Sequence, residues 1–374
     1  MVKRLPDVCT IQYGFPFDSA KFSLTEGMPL IRIRDVMRGY SETFTTEKYK
    51  DEYIVYPDDL LIGMDGEFNI AKWGKTPALL NQRVCRLIPG PDIEKNFLFY
   101  FMPAALKRIE EKTPFVTVKH LSAKELNKIE IPLPPLEEQR RIAAMLDKVS
   151  GLIAKRREQL DKLDELVKAR FVEMFGDPVS NPKGWNIIRL SELGDCKNGM
   201  NFHTDDSGVE IHCLGVGDFK NLSSISDTAK LPIITLNEMP TNDYLLKNGD
   251  IVFVRSNGNK ALVGRSVIVY PDDTPTTFSG FCIRFRIQNP IILPQYLLSV
   301  LKTASMRKQM TGRGANIQNL NQKILSELKI PVSPLPYQEE YIDFTIKIDK
   351  SKLTIQQSLD KLEVLKKALM QQYF

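Results

Sequence analysis

Apolar residues in two stretches of the chain recur at alternating three- and four-residue steps, the spacing of a helix with a single buried stripe. In the first stretch Ile142, Leu146, Val149, Ile153, Leu160, Leu163, Val167 and Met174 keep this frame, with Arg156 and Arg170 as polar exceptions. It runs from Leu136 to Phe175 without a proline and predicts a helix ~60 Å long. In the second stretch Ile348, Ile355, Leu359, Leu362 and Leu369 fall in the same frame, which Lys352 and Lys366 interrupt. Each stretch opens on prolines, Pro132, Pro134 and Pro135 or Pro331, Pro334 and Pro336. Proline blocks strand pairing and helix interiors alike, so it marks a sharp boundary. The first helix is expected to stop at Gly176 and Pro178, a glycine-plus-proline ending. Two matching stripes in one chain predict an intramolecular coiled coil, antiparallel because each helix is entered from a different globule.

The segments before each helix read as short strands and turns. Strands are expected at Pro29–Asp35, Asp59–Met64 and Gln82–Ile88, followed by a helix around Phe97–Glu110 that contains Pro103. The same order returns in strands at Glu210–Gly215, Asp250–Arg255 and Phe281–Ile287 and a helix beginning near Pro294. The two halves are a repeat. Ile131–Gln139 aligns with Ile330–Gln338, and Leu160–Ala169 with Leu359–Ala368, at a constant offset of 199 residues. Within the globules the offset drifts to 191 (Asp59 to Asp250) and 185 (Leu5 to Leu190), so insertions gather there while the helices stay in register. A period this long is a domain plus its connector, too large for a solenoid unit. Boundaries follow at 1–131, 132–178, 179–330 and 331–374. The expected fold is α+β: two similar α/β globules separated by an antiparallel two-helix coiled coil, with a pseudo-twofold internal repeat.

With 374 residues, each repeat can bury an ordinary core. The five cysteines are scattered, with no Cys-x-x-Cys pair. They are expected to be buried reduced thiols of a cytoplasmic protein. No apolar run reaches the ~18–20 residues that span a bilayer, and the N-terminus lacks the apolar core of a signal peptide. The net charge of +5 is too small to announce a nucleic-acid binder. Its distribution says more. Lys72, Lys75, Arg83 and Arg86 fall between Asn69 and Gly90, and Arg255, Lys260 and Arg265 between Ile251 and Tyr270, with no acid in either run. Solvated loops would account for each run alone; the same bias at corresponding places in both repeats points to phosphate.

Catalytic constellations fail one by one. The Gly258–Ser266 loop has five residues between its glycines, where a phosphate-binding loop has four, and Arg265 where that loop needs lysine. Pro57-Asp58 and Pro271-Asp272 lie about fifty residues from the next Glu-x-Lys triplets, too far for one nuclease sheet. His120, His203 and His212 make no metal spacing with the cysteines or acids.

A proline-rich Ile131–Gln139, a long helix, Phe175-Gly-Asp-Pro178, a tryptophan (Trp185) opening a second globule, and a second copy over Ile330–Ala368 together cover the chain. This set resembles the specificity subunit of type I DNA restriction–modification systems. The resemblance implies two target recognition domains, each reading one half of a bipartite duplex DNA sequence. It implies helices that act as spacer and as docking site for two modification subunits, which carry S-adenosylmethionine and methylate adenine; restriction subunits can join them. It also implies that this chain binds no cofactor or metal and is not itself an enzyme. The second helix has Pro336-Tyr337 where the first has Glu137-Glu138, so the two docking surfaces differ. Candidate DNA contacts are Arg32, Arg34, Asn69, Lys72, Lys75, Lys119 and His120 in the first globule. In the second they are Arg255, Ser256, Asn257, Asn259, Lys260, Arg265, Arg313, Asn316, Gln318 and Asn319. Lysine and arginine suit phosphates, while asparagine, glutamine and arginine suit base edges. A pure assembly adaptor is the rival reading. It explains the helices and leaves the paired acid-free runs without a purpose.

Overall fold

The computed structural model describes residues 1–74, 76–113, 119–202, 206–219, 222–311 and 319–374, apart from the side chains of Lys260 and Thr311. Two compact units emerge: Met1–Gln159 with Ile355–Phe374, and Leu160–Thr354. Each long helix contributes to both units, the division falling after Gln159 in the first and after Thr354 in the second.

In unit 1 a four-stranded antiparallel sheet has the order Cys9–Tyr13, Val84–Pro89, Leu60–Gly63, Asn69–Lys72. Its two central strands bury apolar residues on both faces because each face meets a different core. Leu60, Ile62, Cys85 and Leu87 point to the helix Lys95–Lys112, while Leu61 and Val84 point to Ile31, Val36, Trp73 and Leu80. The two-residue period of a strand divides the side chains between these cores. In unit 2 the five-stranded sheet Gly194–Asn198, Cys282–Ile287, Asp250–Val254, Ser266–Val269, Ser224–Ile225 is divided likewise. Ile251, Phe253, Ile283 and Phe285 face the helix Pro294–Lys302, and Val252, Val254 and Cys282 face the other way.

One expected strand is partly helix. After Met28–Ile31 the chain makes a single helical turn over Ile33–Val36, begun by Arg32, whose N–H donates to the buried Asp35 carboxylate (2.9 Å). Asp35 supplies the acceptor that stops the strand. The helix Lys95–Lys112 passes through Pro103, which lies on its exposed face. The carbonyl that proline deprives of its donor can be hydrated there.

The long helices are Leu136–Phe175 and Leu335–Tyr373. In unit 1, Arg141 reaches the Tyr373 hydroxyl (3.4 Å) and Arg157 pairs with Glu363 (2.7 Å). In unit 2, Asp164 pairs with Lys352 and Arg170 with Glu340 (2.6 Å). Numbers rise on one helix as they fall on the other, so the helices run antiparallel within each unit. Exposed pairs of this kind contribute little energy. Apolar contacts hold the helices: Ile142, Leu146 and Phe374 join the core around Phe97 and Phe101, and Phe171 and Phe175 pack on Tyr296 and Tyr341. The two interruptions of the second stripe have partners, Lys352 in Asp164 and Lys366 in the ring of Tyr100 (5.7 Å). The first helix ends where Gly176 adopts φ +75; a side chain there would also strike Pro182.

A buried glutamine ties each long helix to its globule. Gln139 accepts from the Glu94 N–H (2.8 Å) and donates to the carbonyls of Asp92 (3.1 Å) and Pro134 (2.9 Å). Gln338 accepts from the Leu293 N–H (2.9 Å) and donates to the carbonyls of Ile291 (3.0 Å) and Ser333 (2.7 Å). Every one of these partners keeps the 199-residue offset.

Candidate nucleic-acid interface

The sheet of each unit ends in a backbone node where three segments meet. In unit 1 the Met64 N–H donates to the Arg83 carbonyl (3.0 Å) and the Leu121 N–H to the Met64 carbonyl (2.7 Å), with Asp65 bridged to His120. In unit 2 the Arg255 N–H donates to the Phe281 carbonyl (2.8 Å) and the Leu320 N–H to the Arg255 carbonyl (2.8 Å), with Ser256 bridged to Asn319. The hydrogen-bond pattern is the same; the side chains are not. Unit 1 presents Asp65, Arg83 and His120. Asp65 lies 2.6 Å from His120 Nδ1 and 3.4 Å from Arg83 Nε, and the basic side chains are about half exposed. Unit 2 presents Ser256, Phe281 and Asn319 around an open depression also lined by Val216, Asn257 and Gly258.

Among the candidates from sequence, His120, Arg255, Ser256, Asn257 and Asn319 converge on these nodes. Asn257 Oδ1 accepts from the Asn259 N–H (2.8 Å) and Asn259 Oδ1 from the Ala261 N–H (3.0 Å), so both shape their own loop. Arg255 donates to the Gly280 carbonyl (3.3 Å), and the half-buried Arg265 accepts the Val254 N–H at its own carbonyl (2.8 Å). Arg32 and Arg34 take no part in the node's backbone hydrogen bonds; they flank Ile33, whose side chain lies against Gly63 at the end of the strand, and Arg34 reaches Thr43 Oγ1 (3.4 Å). Two lysines are already engaged. Lys72 lies 3.8 Å from Asp58 and 5.3 Å from the Phe99 ring. Lys119 donates to the Glu110 carbonyl (2.8 Å) with that residue's carboxylate at 3.8 Å. A phosphate would have to compete with these partners. Asn69 carries a buried Oδ1 without a hydrogen-bond partner among the described residues. Lys75, Arg313, Asn316, Gln318 and the side chain of Lys260 lie outside the described residues.

The near-misses of catalysis resolve into turns. Asp58 has φ +73 in the turn that leads to the strand Leu60–Gly63, and Gly249 has φ +88 at the corresponding turn of unit 2. The Gly258–Ser266 loop leads into the strand Ser266–Val269 and not into the helix that a phosphate loop requires. Among the described residues no three His, Cys, Asp or Glu side chains come together as a metal would require.

The family described as type I restriction modification DNA specificity domain matches residues 1–164 and 182–366. The chain belongs to this family. Over 375 aligned residues it is 41% identical to the type I restriction enzyme EcoBI specificity subunit of Escherichia coli, covering 90% of this chain and 77% of that one. It is 24% identical to the MjaVIII specificity subunit of Methanocaldococcus jannaschii, covering 91% and 87% of the two chains. The fold matches a chain from a structure concerned with assembly and conformational transition of the type I restriction–modification system, with TM-score 0.59, 18% identity and coverage of 100% and 97%. It also matches the specificity subunit from M. genitalium, with TM-score 0.56, 16% identity and coverage of 100% and 96%. Membership makes DNA target recognition the function of this specificity subunit, and DNA and the other restriction–modification subunits its partners.

Sequence reasoning missed Gln139 and Gln338 as the ties between helix and globule, although identical glutamines at the repeat offset were a visible signal. It also left Asp65 and Phe281 out of the interface. Their places depend on strand register, which a single sequence does not reveal.

Proposed function

We propose that unit 1 reads one half of a bipartite duplex sequence, unit 2 reads the other, and the long helices set the number of base pairs between them. The same backbone node, built twice with different side chains, is the observation that carries this reading. One scaffold with exchangeable side chains suits two different half-sites. Tethering two readers turns the second binding event into an intramolecular one, so modest half-site affinities combine into a tight and specific whole. Lysines and arginines place each unit on phosphates, which carry no sequence information, and the node side chains meet base edges.

In this reading the helices dock two modification subunits that supply S-adenosylmethionine and methylate adenine, and restriction subunits join that assembly in the cytoplasm. The chain itself contributes recognition and no bond-making step. The test is binding of the complex with its modification subunits to specific and random duplexes at two salt concentrations. The account expects a steep salt dependence on both, with added affinity on the specific duplex alone. Methyl transfer to DNA by the isolated chain would contradict the non-catalytic assignment.

A further inference from the structure

We propose that Arg83 and Phe281 are equivalent base-contacting residues, one in each unit: Arg83 reads a guanine through O6 and N7, and Phe281 reads a thymine through its methyl group. The inference rests on the half-site reading above and names which side chains perform it.

The equivalence is structural. Val84 pairs with Gly63 and Cys282 with Val254, so Arg83 and Phe281 each precede the matching strand by one residue. The carbonyl of each accepts the N–H of the residue that follows the neighbouring strand, Met64 or Arg255. Both side chains are exposed at the node, Arg83 by 55% and Phe281 by 62%. Beyond Asp65, a side chain at Gly66 would meet none of the described residues within 4 Å, and the same holds at Gly258, which lines one depression with Phe281. Each position thus borders space that a DNA groove could fill.

The chemistry differs as two half-sites require. Asp65 stands 3.4 Å from Nε of Arg83 and 2.6 Å from Nδ1 of His120. A carboxylate at Nε orients the planar guanidinium and leaves its terminal nitrogens as a donor pair, the fork that matches guanine O6 and N7. Asp65 is therefore a positioning residue for Arg83. In unit 2 Phe281 and Val216 line an open depression together with Ser256, Asn257, Gly258 and Asn319. An exposed aromatic ring among polar neighbours suits the one base that carries a methyl group in the major groove.

Base analogues test this at single atoms. The complex with its modification subunits is bound to its target duplex with each guanine in turn replaced by 7-deazaguanine and each thymine by uracil. One guanine in one half-site and one thymine in the other should each cost wild type roughly fivefold or more in affinity. Arg83→Ala should lose sensitivity to that guanine alone, Arg83→Lys should fail to restore it, and Asp65→Asn should weaken the same position. Phe281→Ala should lose sensitivity to that thymine alone, and Phe281→Leu should retain it. Variants that weaken binding to every duplex equally, or stay as sensitive as wild type to both analogues, overturn the inference and leave half-site reading intact. A wild-type complex with no base preference in one half would overturn half-site reading as well.

Discussion

Gln139 and Gln338 show how much one side chain can fix. Each amide saturates one backbone N–H and two carbonyls at the seam between a proline-rich strand and a long helix, and each is almost fully buried. Gln139→Ala orphans three backbone groups, and a loss of about 2–4 kcal/mol is expected, read as a lower denaturant midpoint. Gln139→Glu should be no better, because a carboxylate cannot donate to the Asp92 and Pro134 carbonyls. Lys302 provides a pH signature. Its ammonium donates to the Leu222 carbonyl (3.2 Å) and Ser223 Oγ (2.9 Å) while the rest of the residue stays exposed. Desolvation of the ammonium first, then the positive charges of Lys352 and Arg307, lowers its pKa to about 8. The folded state then binds fewer protons than the unfolded state between about pH 8 and the ordinary lysine value, so this residue makes stability rise with pH across that window. Lys302→Met should remove that rise, measured as the difference in unfolding midpoint from wild type between pH 8 and 10. Neither effect was legible beforehand: the glutamines stood aligned, but two of the three partners of each lie 45 or 47 residues away in sequence.

At the scale of elements the hydrophobic pattern was a good guide where burial is continuous. Leu60–Gly63, Asp250–Val254 and Cys282–Ile287 lie where apolar runs placed strands, and the first long helix spans Leu136–Phe175 as its stripe implied. The pattern failed where one polar contact outweighed it, as when Asp35 turned the end of the expected strand at Pro29–Asp35 into a helical turn. The helix expected around Phe97–Glu110 with Pro103 inside it is present as Lys95–Lys112, and the exposed position of that proline lets it continue. Pro103→Ala restores a helical N–H at no packing cost and should stabilise unit 1 by roughly 1–3 kcal/mol, read by thermal unfolding. The coiled-coil frame was legible as well, but not the partners of its interruptions, Asp164 for Lys352 and Tyr100 for Lys366. Those depend on which helix faces meet.

At the scale of the molecule the repeat carries the account. Its strict 199-residue register through the helices and its drift through the globules separate what must stay constant from what can vary. The division between units falls after Gln159 in one long helix and after Thr354 in the other. One heptad inserted at both places adds ~10 Å of helix and should lengthen the gap in the target by about three base pairs. An unchanged gap would mean that the helices are not the ruler. The central claim, that each unit reads its own half-site, is met most directly by methylome sequencing of cells whose complex carries Asn257→Ala and Asn319→Ala, both confined to unit 2. The account predicts methylated sites relaxed in one half, with the other half and the gap unchanged. Relaxation of both halves together would contradict it.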